Sequence, residues 1–123
     1  TCRKDENRKV DFSTMLAEVD DKAKLLGSFI EQSRQDADEL ASAMHGNDRK
    51  RLREIAHRMQ PMWELLQMKN TLSAYRSLLK DSTTGNDTVR EHTKRIMEYT
   101  AKLIAEAKNE IKKLENETEN TDS

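Results

Sequence analysis

Apolar residues in this chain recur three and four positions apart, and in four separate stretches they do so long enough to define a buried helix face. One stretch runs Leu52, Ile55, Ala56, Met59, Trp63, Leu66. At 3.6 residues per turn these side chains share one stripe. A longer stretch, Leu26, Ile30, Ser33, Ala37, Leu40, Met44, alternates steps of four and three, the rhythm that packed helices bury. Leu72, Tyr75, Leu78 and Leu79 make a third face. Val89, Ile96, Tyr99, Leu103, Ala107, Ile111 and Leu114 make the last. Val, Ile, Thr, Tyr and Phe never gather into alternating runs, so no strand is expected. With Gly 3 and Pro 1, few residues interrupt a helix. The expected fold is all-α, an antiparallel up-down four-helix bundle with a short N-terminal lead-in helix.

Polar punctuation sets the boundaries. Residues 1–11 carry charge but no apolar face and read as a polar linker or disordered arm. The lead-in helix is expected from Ser13 to about Val19, burying Met15, Leu16 and Val19. Asp20 or Asp21 suits the N-cap of the long helix that follows. In His45-Gly46-Asn47-Asp48, Gly46 suits a helix C-terminus and Asn47 or Asp48 the next N-cap. The third helix should reach about Leu66. Asn70 suits the cap of the fourth, and Asp81 to Asp87 reads as a turn. The last helix is expected from about Thr88 to Leu114. The bundle then occupies 12–114, and 115–123 reads as a disordered tail. No internal repeat is visible.

Composition excludes several classes. Charged residues make up 37% and hydrophobic ones 34%, which suits helices that each bury one stripe. A net charge of -1 and 4% aromatic residues argue against nucleic acid as a partner. The single cysteine, Cys2, permits neither a disulfide framework nor a cysteine metal site, and fits a reducing compartment. No apolar run approaches the roughly 18 residues of a membrane span, so this stretch should make no direct membrane contact. The chain begins at Thr1 rather than Met, which reads as a domain cut from a longer parent.

One histidine breaks the logic of the stripes. At about 100° per residue, His57 lies roughly 140° from Leu52, on the solvent side of its helix. An exposed imidazole on a rigid helix is available to a partner, and its neutral form is a nucleophile. Lys50, Arg53, Gln60, Pro61 and Glu64 should lie nearest to it around the circumference. Lys50 and Arg53 are placed to screen an added negative charge. Arg58 is turned about 100° from His57 and is expected to meet a partner's rim. Met62, Leu65 and Met68, near Pro61, offer a partly exposed apolar face for the same partner. Glu54 and His57 have the Glu-x-x-His spacing of di-iron bundles, but no second copy exists and both residues point away from the stripe. His45 reads as a helix-end residue, His92 as solvent-facing or half-packed, and the methionines as core filling.

Gly46-Asn47-Asp48, Leu52 and Ile55-Ala56-His57-Arg58-Met59 together resemble the histidine phosphotransfer (HPt) domain of bacterial phosphorelays. The helix order supports the likeness over about residues 12–113. The resemblance implies that His57 is the phosphoacceptor, and that the partner is a response-regulator receiver domain. The receiver would supply the acceptor aspartate, a Mg²⁺ ion and a basic residue, so this chain would need no cofactor and no catalytic machinery of its own. It further implies a cytoplasmic, monomeric module, the parent being a hybrid sensor histidine kinase anchored in the inner membrane. The sequence departs from the family just after the histidine. Gln60 and Pro61 stand where a lysine and a glycine are usual, and Gln67 replaces a further glycine. Gln60 carries no charge to offset a phosphoryl group. Pro61 removes the N–H that would serve the carbonyl of His57, and a kink is expected there.

Two other readings compete. In one, the bundle surface is a helical interaction module with His57 incidental, and the long last helix oligomerises as a coiled coil. In the other, the domain binds receivers but no longer transfers, as the Gln60 and Pro61 departures suggest.

Overall fold

The computed structural model describes residues 12–122, with side chains over 12–116. The linker expected at 1–11, including Cys2, lies outside the described residues. Five helices follow one another: α1 (Ser13–Leu16), α2 (Lys22–His45), α3 (Arg49–Leu65), α4 (Lys69–Lys80) and α5 (Asn86–Asp122). Among the described residues there is no strand, and no helix is long and apolar enough to cross a membrane.

The expected stripes are the buried faces. Leu52, Ile55, Ala56, Met59, Trp63 and Leu66 are all buried, and Leu52, Ile55 and Ala56 are almost wholly so. Burying one such leucine or isoleucine is worth about 1.5–3 kcal/mol, so this face is the main term holding α3 in place. α3 packs on α4, α2 and α1, while α2 lies along α5. The α2 face is wider than its four-three rhythm indicates: Phe29, Asp36 and Ala43 are buried as well, and Ala37 is only half-buried. Phe12 meets Phe29 edge-on at 6.1 Å, which docks the lead-in segment, and Trp63 meets Tyr99 edge-on at 6.4 Å across α3 and α5. On α5 the stripe continues through Thr93 and Thr100, both buried. Each turns its hydroxyl back onto a carbonyl of its own helix, Val89 at 2.7 Å and Ile96 at 2.8 Å. This is how a hydroxyl enters an apolar face without an unpaired group.

The helix ends follow capping chemistry, with some corrections. Asp21 accepts from the Lys24 N–H at 3.0 Å, and Asp48 from the Arg51 N–H at 3.0 Å. Both are side-chain N-caps. Gly46 is the C-cap of α2, as expected, with φ -86, and the left-handed residue is the next one, Asn47 (φ 53). The Asp48 N–H donates to the Ala43 carbonyl at 2.8 Å, and the Asn47 N–H to Met44 at 3.1 Å. That bond pair is the Schellman closure. α3 ends in the same way: Gln67 has φ 61, the Met68 N–H reaches the Trp63 carbonyl at 2.8 Å, and the Gln67 N–H reaches Glu64 at 3.1 Å.

α4 therefore starts directly from this turn at Lys69. Asn70 lies inside its first turn and caps nothing. α1 is a single turn that stops at Leu16, because Ala17 is extended (ψ 135) and Glu18 left-handed (φ 61). It does not run to Val19. α5 begins at Asn86, two positions before the expected Thr88, and continues past Leu114 to Asp122, into the stretch set apart above as a tail. Pro61 sits inside α3, which continues through it to Leu65.

Candidate functional site

His57 is exposed on the outer side of α3, where the buried stripe leaves it. Its nearest chemistry comes from the next helix. The chain doubles back through the short turn at 66–68, so positions the same distance from the Leu66–Gln67 centre come level. The position level with His57 is Arg76. Leu72, Tyr75 and Leu79 face α4 into the core, which sets Arg76 half-buried on the flank beside α3. Its Nη2 lies 3.2 Å from His57 Nδ1. Its Nη1 donates to Gln60 Oε1, and Gln60 Nε2 donates to Glu64 Oε1 at 2.9 Å. A chain of four side chains thus runs from Glu64 through Gln60 and Arg76 to the imidazole. His57 Nε2 has no hydrogen-bond partner among the described residues.

This arrangement changes several expectations. Gln60 and Glu64 do belong to the surroundings of His57, but as links that hold Arg76. Lys50 and Arg53 are exposed and make no hydrogen bond with His57. The cation beside the ring is Arg76, which reading along the α3 helix alone could not find. One signal pointed to it: once the turn near Leu66 is placed, simple counting across it pairs 57 with 76. Pro61 is exposed next to this group. It offers no N–H to the His57 carbonyl, as its chemistry requires.

Arg58 does not stand at a free rim. Its Nη2 donates to Asp36 Oδ1 at 2.6 Å and also to Glu39 Oε2, and its Nε donates to Asp36 Oδ1 at 3.2 Å. Gln32 Nε2 adds a further donor to Asp36 at 3.1 Å. Arg51 completes the cluster by pairing with Glu39 and, at 3.3 Å, with Glu54. The hydrogen bond from Arg58 holds the Glu39 carboxyl below the usual carboxylate range, helped by the charges of Arg58 and Arg51. Glu39 and Asp36 in turn raise Arg58 further.

The rest of the basic run is divided between structure and solvent. Arg49 clamps the α4–α5 turn, donating to the carbonyls of Asp81 at 3.1 Å and Thr84 at 2.7 Å and to Asn86 Oδ1 at 3.3 Å. Hydrogen bonds from the Thr83 hydroxyl and backbone N–H, with Arg49 nearby, lower the Asp81 carboxyl.

Beyond His57 and Pro61 lies an apolar surface. Leu65 is 40% exposed, the large hydrophobic residue least covered among those described. Met62 and Met68 are partly buried beside it. Among the described residues, no three His, Cys, Asp or Glu side chains come together as a metal-binding group. Compared with known proteins, the chain matches no family model, no curated protein and no solved structure.

Proposed function

We propose that this chain is a phosphorelay carrier of the histidine phosphotransfer type, its four long helices forming an antiparallel up-down bundle behind a one-turn lead-in. The observation that carries the reading is an exposed imidazole on a helix whose other face is fully buried, with a permanent cation hydrogen-bonded beside it. In this reading His57 Nε2 attacks the phosphorus of a receiver's aspartyl phosphate. The Nε2–P bond forms as the aspartate O–P bond breaks, and the carboxylate leaves with the electron pair. The same step in reverse passes the phosphoryl group to a second receiver. Mg²⁺ and the acceptor aspartate belong to the receiver, and this chain supplies the nucleophile and its setting.

Arg76 takes over the charge compensation that Gln60 lacks. A guanidinium is the side chain best shaped to bind phosphoryl oxygens in pairs. Lys50 and Arg53 add positive charge on the approach side. Pro61, Met62, Leu65 and Met68 give the receiver an apolar contact next to the histidine. In this reading Arg58 stabilises the fold and is not a docking residue. The partner is a response-regulator receiver domain, the carrier acts as a monomer on the cytoplasmic side, and its parent is a hybrid sensor histidine kinase.

The test is direct. The domain is incubated with a receiver labelled at its aspartate, and phosphate stable to alkali but labile to acid is sought on this chain. The label is expected on the wild type and absent from His57→Gln. Label persisting in His57→Gln, or no label from any receiver that binds, sinks the reading. Binding without label supports the second reading, a receiver-binding module that does not transfer, which the hold of Arg76 on the ring favours.

A further inference from the structure

We infer that Arg76 is a positioning residue that fixes which nitrogen of His57 carries the proton, and that it must leave Nδ1 before the ring can react at Nε2. The inference rests on the carrier reading for its consequence, but its physical content stands on the hydrogen-bond chain alone.

The direction of every bond in that chain is set by chemistry. An ionised carboxylate only accepts, so Glu64 takes its hydrogen bond from the Gln60 NH₂ group. That turns the other end of the amide, Oε1, toward Arg76. A guanidinium only donates and keeps its charge at any pH a protein survives. Arg76 therefore donates both to Gln60 Oε1 and, through Nη2, to His57 Nδ1 at 3.2 Å. Nδ1 must be the nitrogen with the lone pair, and the neutral ring carries its proton on Nε2.

In that tautomer the ring is blocked at both nitrogens. The electron pair on Nε2 belongs to the aromatic system and cannot attack. The pair on Nδ1 is engaged by Arg76. Release requires a better acceptor for the guanidinium, and an incoming aspartyl phosphate provides one. Arg76 then moves its donors to the phosphoryl oxygens. Solvent takes the Nε2 proton and returns one to Nδ1, and the freed Nε2 pair attacks phosphorus. The ring leaves the step bearing a proton on Nδ1 and the phosphoryl group on Nε2, and the proton is later lost to solvent. A small phosphodonor offers the same oxygens but is not held against the ring by docking, so Arg76 slows its reaction at His57. A docked receiver keeps its phosphoryl group in place to draw Arg76 away.

The test uses protein with ¹⁵N-labelled imidazoles. Long-range ¹H–¹⁵N spectra are recorded at a pH where imidazoles are neutral, and His57 is assigned by its loss in His57→Gln. Wild type is expected to show the Nε2–H form. Arg76→Lys, still a donor, should keep it. Arg76→Glu exchanges a donor-only group for an acceptor-only one and should move the proton to Nδ1. Wild type in the Nδ1–H form, or Arg76→Glu unchanged from wild type, overturns the inference.

A second measurement follows single-turnover phosphorylation of His57 by phosphoramidate. Arg76→Ala should react severalfold faster than wild type. An equal or slower rate means that Arg76 only attracts the phosphoryl group, and the latch is wrong. The tautomer readout needs no receiver, so its failure is separable from failure of the carrier reading, which shows as absence of receiver-derived label.

Discussion

The two polar flanks of α3 both hold an arginine against a neighbouring helix, and they use it in opposite ways. On the α2 flank, Arg58 is met directly by two carboxylates, Asp36 and Glu39, and Asp36 is buried. Charge meets charge, and nothing is left over for a ligand. On the α4 flank, Arg76 is met by a neutral amide and an imidazole nitrogen, and the carboxylate of this chain of bonds, Glu64, is one residue further along. Among the described residues Arg76 makes no ion pair. Its charge is held in place but not cancelled. An arginine neutralised on the spot is a structural tie, and one held without a carboxylate partner keeps its affinity for an anion.

The comparison breaks most readily through exchanging the two arginines' fates. Arg58→Ala strands the Asp36 carboxylate in a buried position and should cost about 2–3 kcal/mol of stability, less than for a fully enclosed pair because Arg58 is itself partly exposed. A urea titration followed by circular dichroism measures it, and the folded variant should still accept phosphate at His57. Arg76→Ala should shift stability by no more than about 0.5 kcal/mol, yet slow transfer from a phosphorylated receiver roughly tenfold, about 1.4 kcal/mol in the barrier. If Arg58→Ala unfolds nothing and Arg76→Ala unfolds much, the assignment of the two flanks is reversed.

A smaller effect comes from protonation. The Glu39 carboxyl is lowered in the folded protein, chiefly by its hydrogen bond from Arg58. A lowered carboxyl stabilises the fold above its unfolded value, about 4.3 for glutamate, and loses that contribution as pH falls through the folded value. The denaturation midpoint should therefore drop on acidification below the ordinary carboxylate range. Arg58→Ala should flatten that drop, which a pH series of melts detects. At the other end of the scale, burial pushes Tyr75 up to about 12 against a lowering by Thr93. Stability from the neutral phenol should persist at moderate alkalinity and fade between pH values of about 10 and 12. Tyr75→Phe should remove this alkaline step at a cost of about 1 kcal/mol.

The smallest effect sits in the turn. Gln67 adopts a left-handed backbone that costs a side-chain-bearing residue about 1 kcal/mol, and Gln67→Gly should recover up to that amount in a thermal melt. Loss of stability would show that the Gln67 side chain contributes more than the backbone conformation costs.

What could be read in the residue order divides along the same lines. Every position of the α3 stripe and the exposure of His57 follow from local spacing and hold. For the caps, single-residue chemistry narrows each N-terminus to two neighbouring candidates, of which the structure uses Asp21 rather than Asp20 and Asp48 rather than Asn47. Such features depend on one helix at a time. Arg76 and the Arg58 pairs depend on what a second helix brings alongside, and a helical wheel of α3 contains no information about α4 or α2. The left-handed residues were hidden for a different reason. Gly46 marks the end of α2 but does not itself take that conformation: the Schellman bonds place it one residue later, on Asn47, and the repeat of the motif puts Gln67 there with neither glycine nor asparagine to announce it.

The turn at 66–68 acts as a ruler for the chemistry it lies far from. Because it closes with fixed hydrogen bonds, it decides by counting which residue of α4 stands beside which residue of α3. One residue inserted or removed there would turn α4 by about 100° relative to its start. Either α4 would pull Tyr75 and Leu79 out of the core, or it would keep them and bring another side chain to the imidazole in place of Arg76. The length of a surface connection containing no reactive group is thus as much a determinant of the setting of His57 as any residue that touches it.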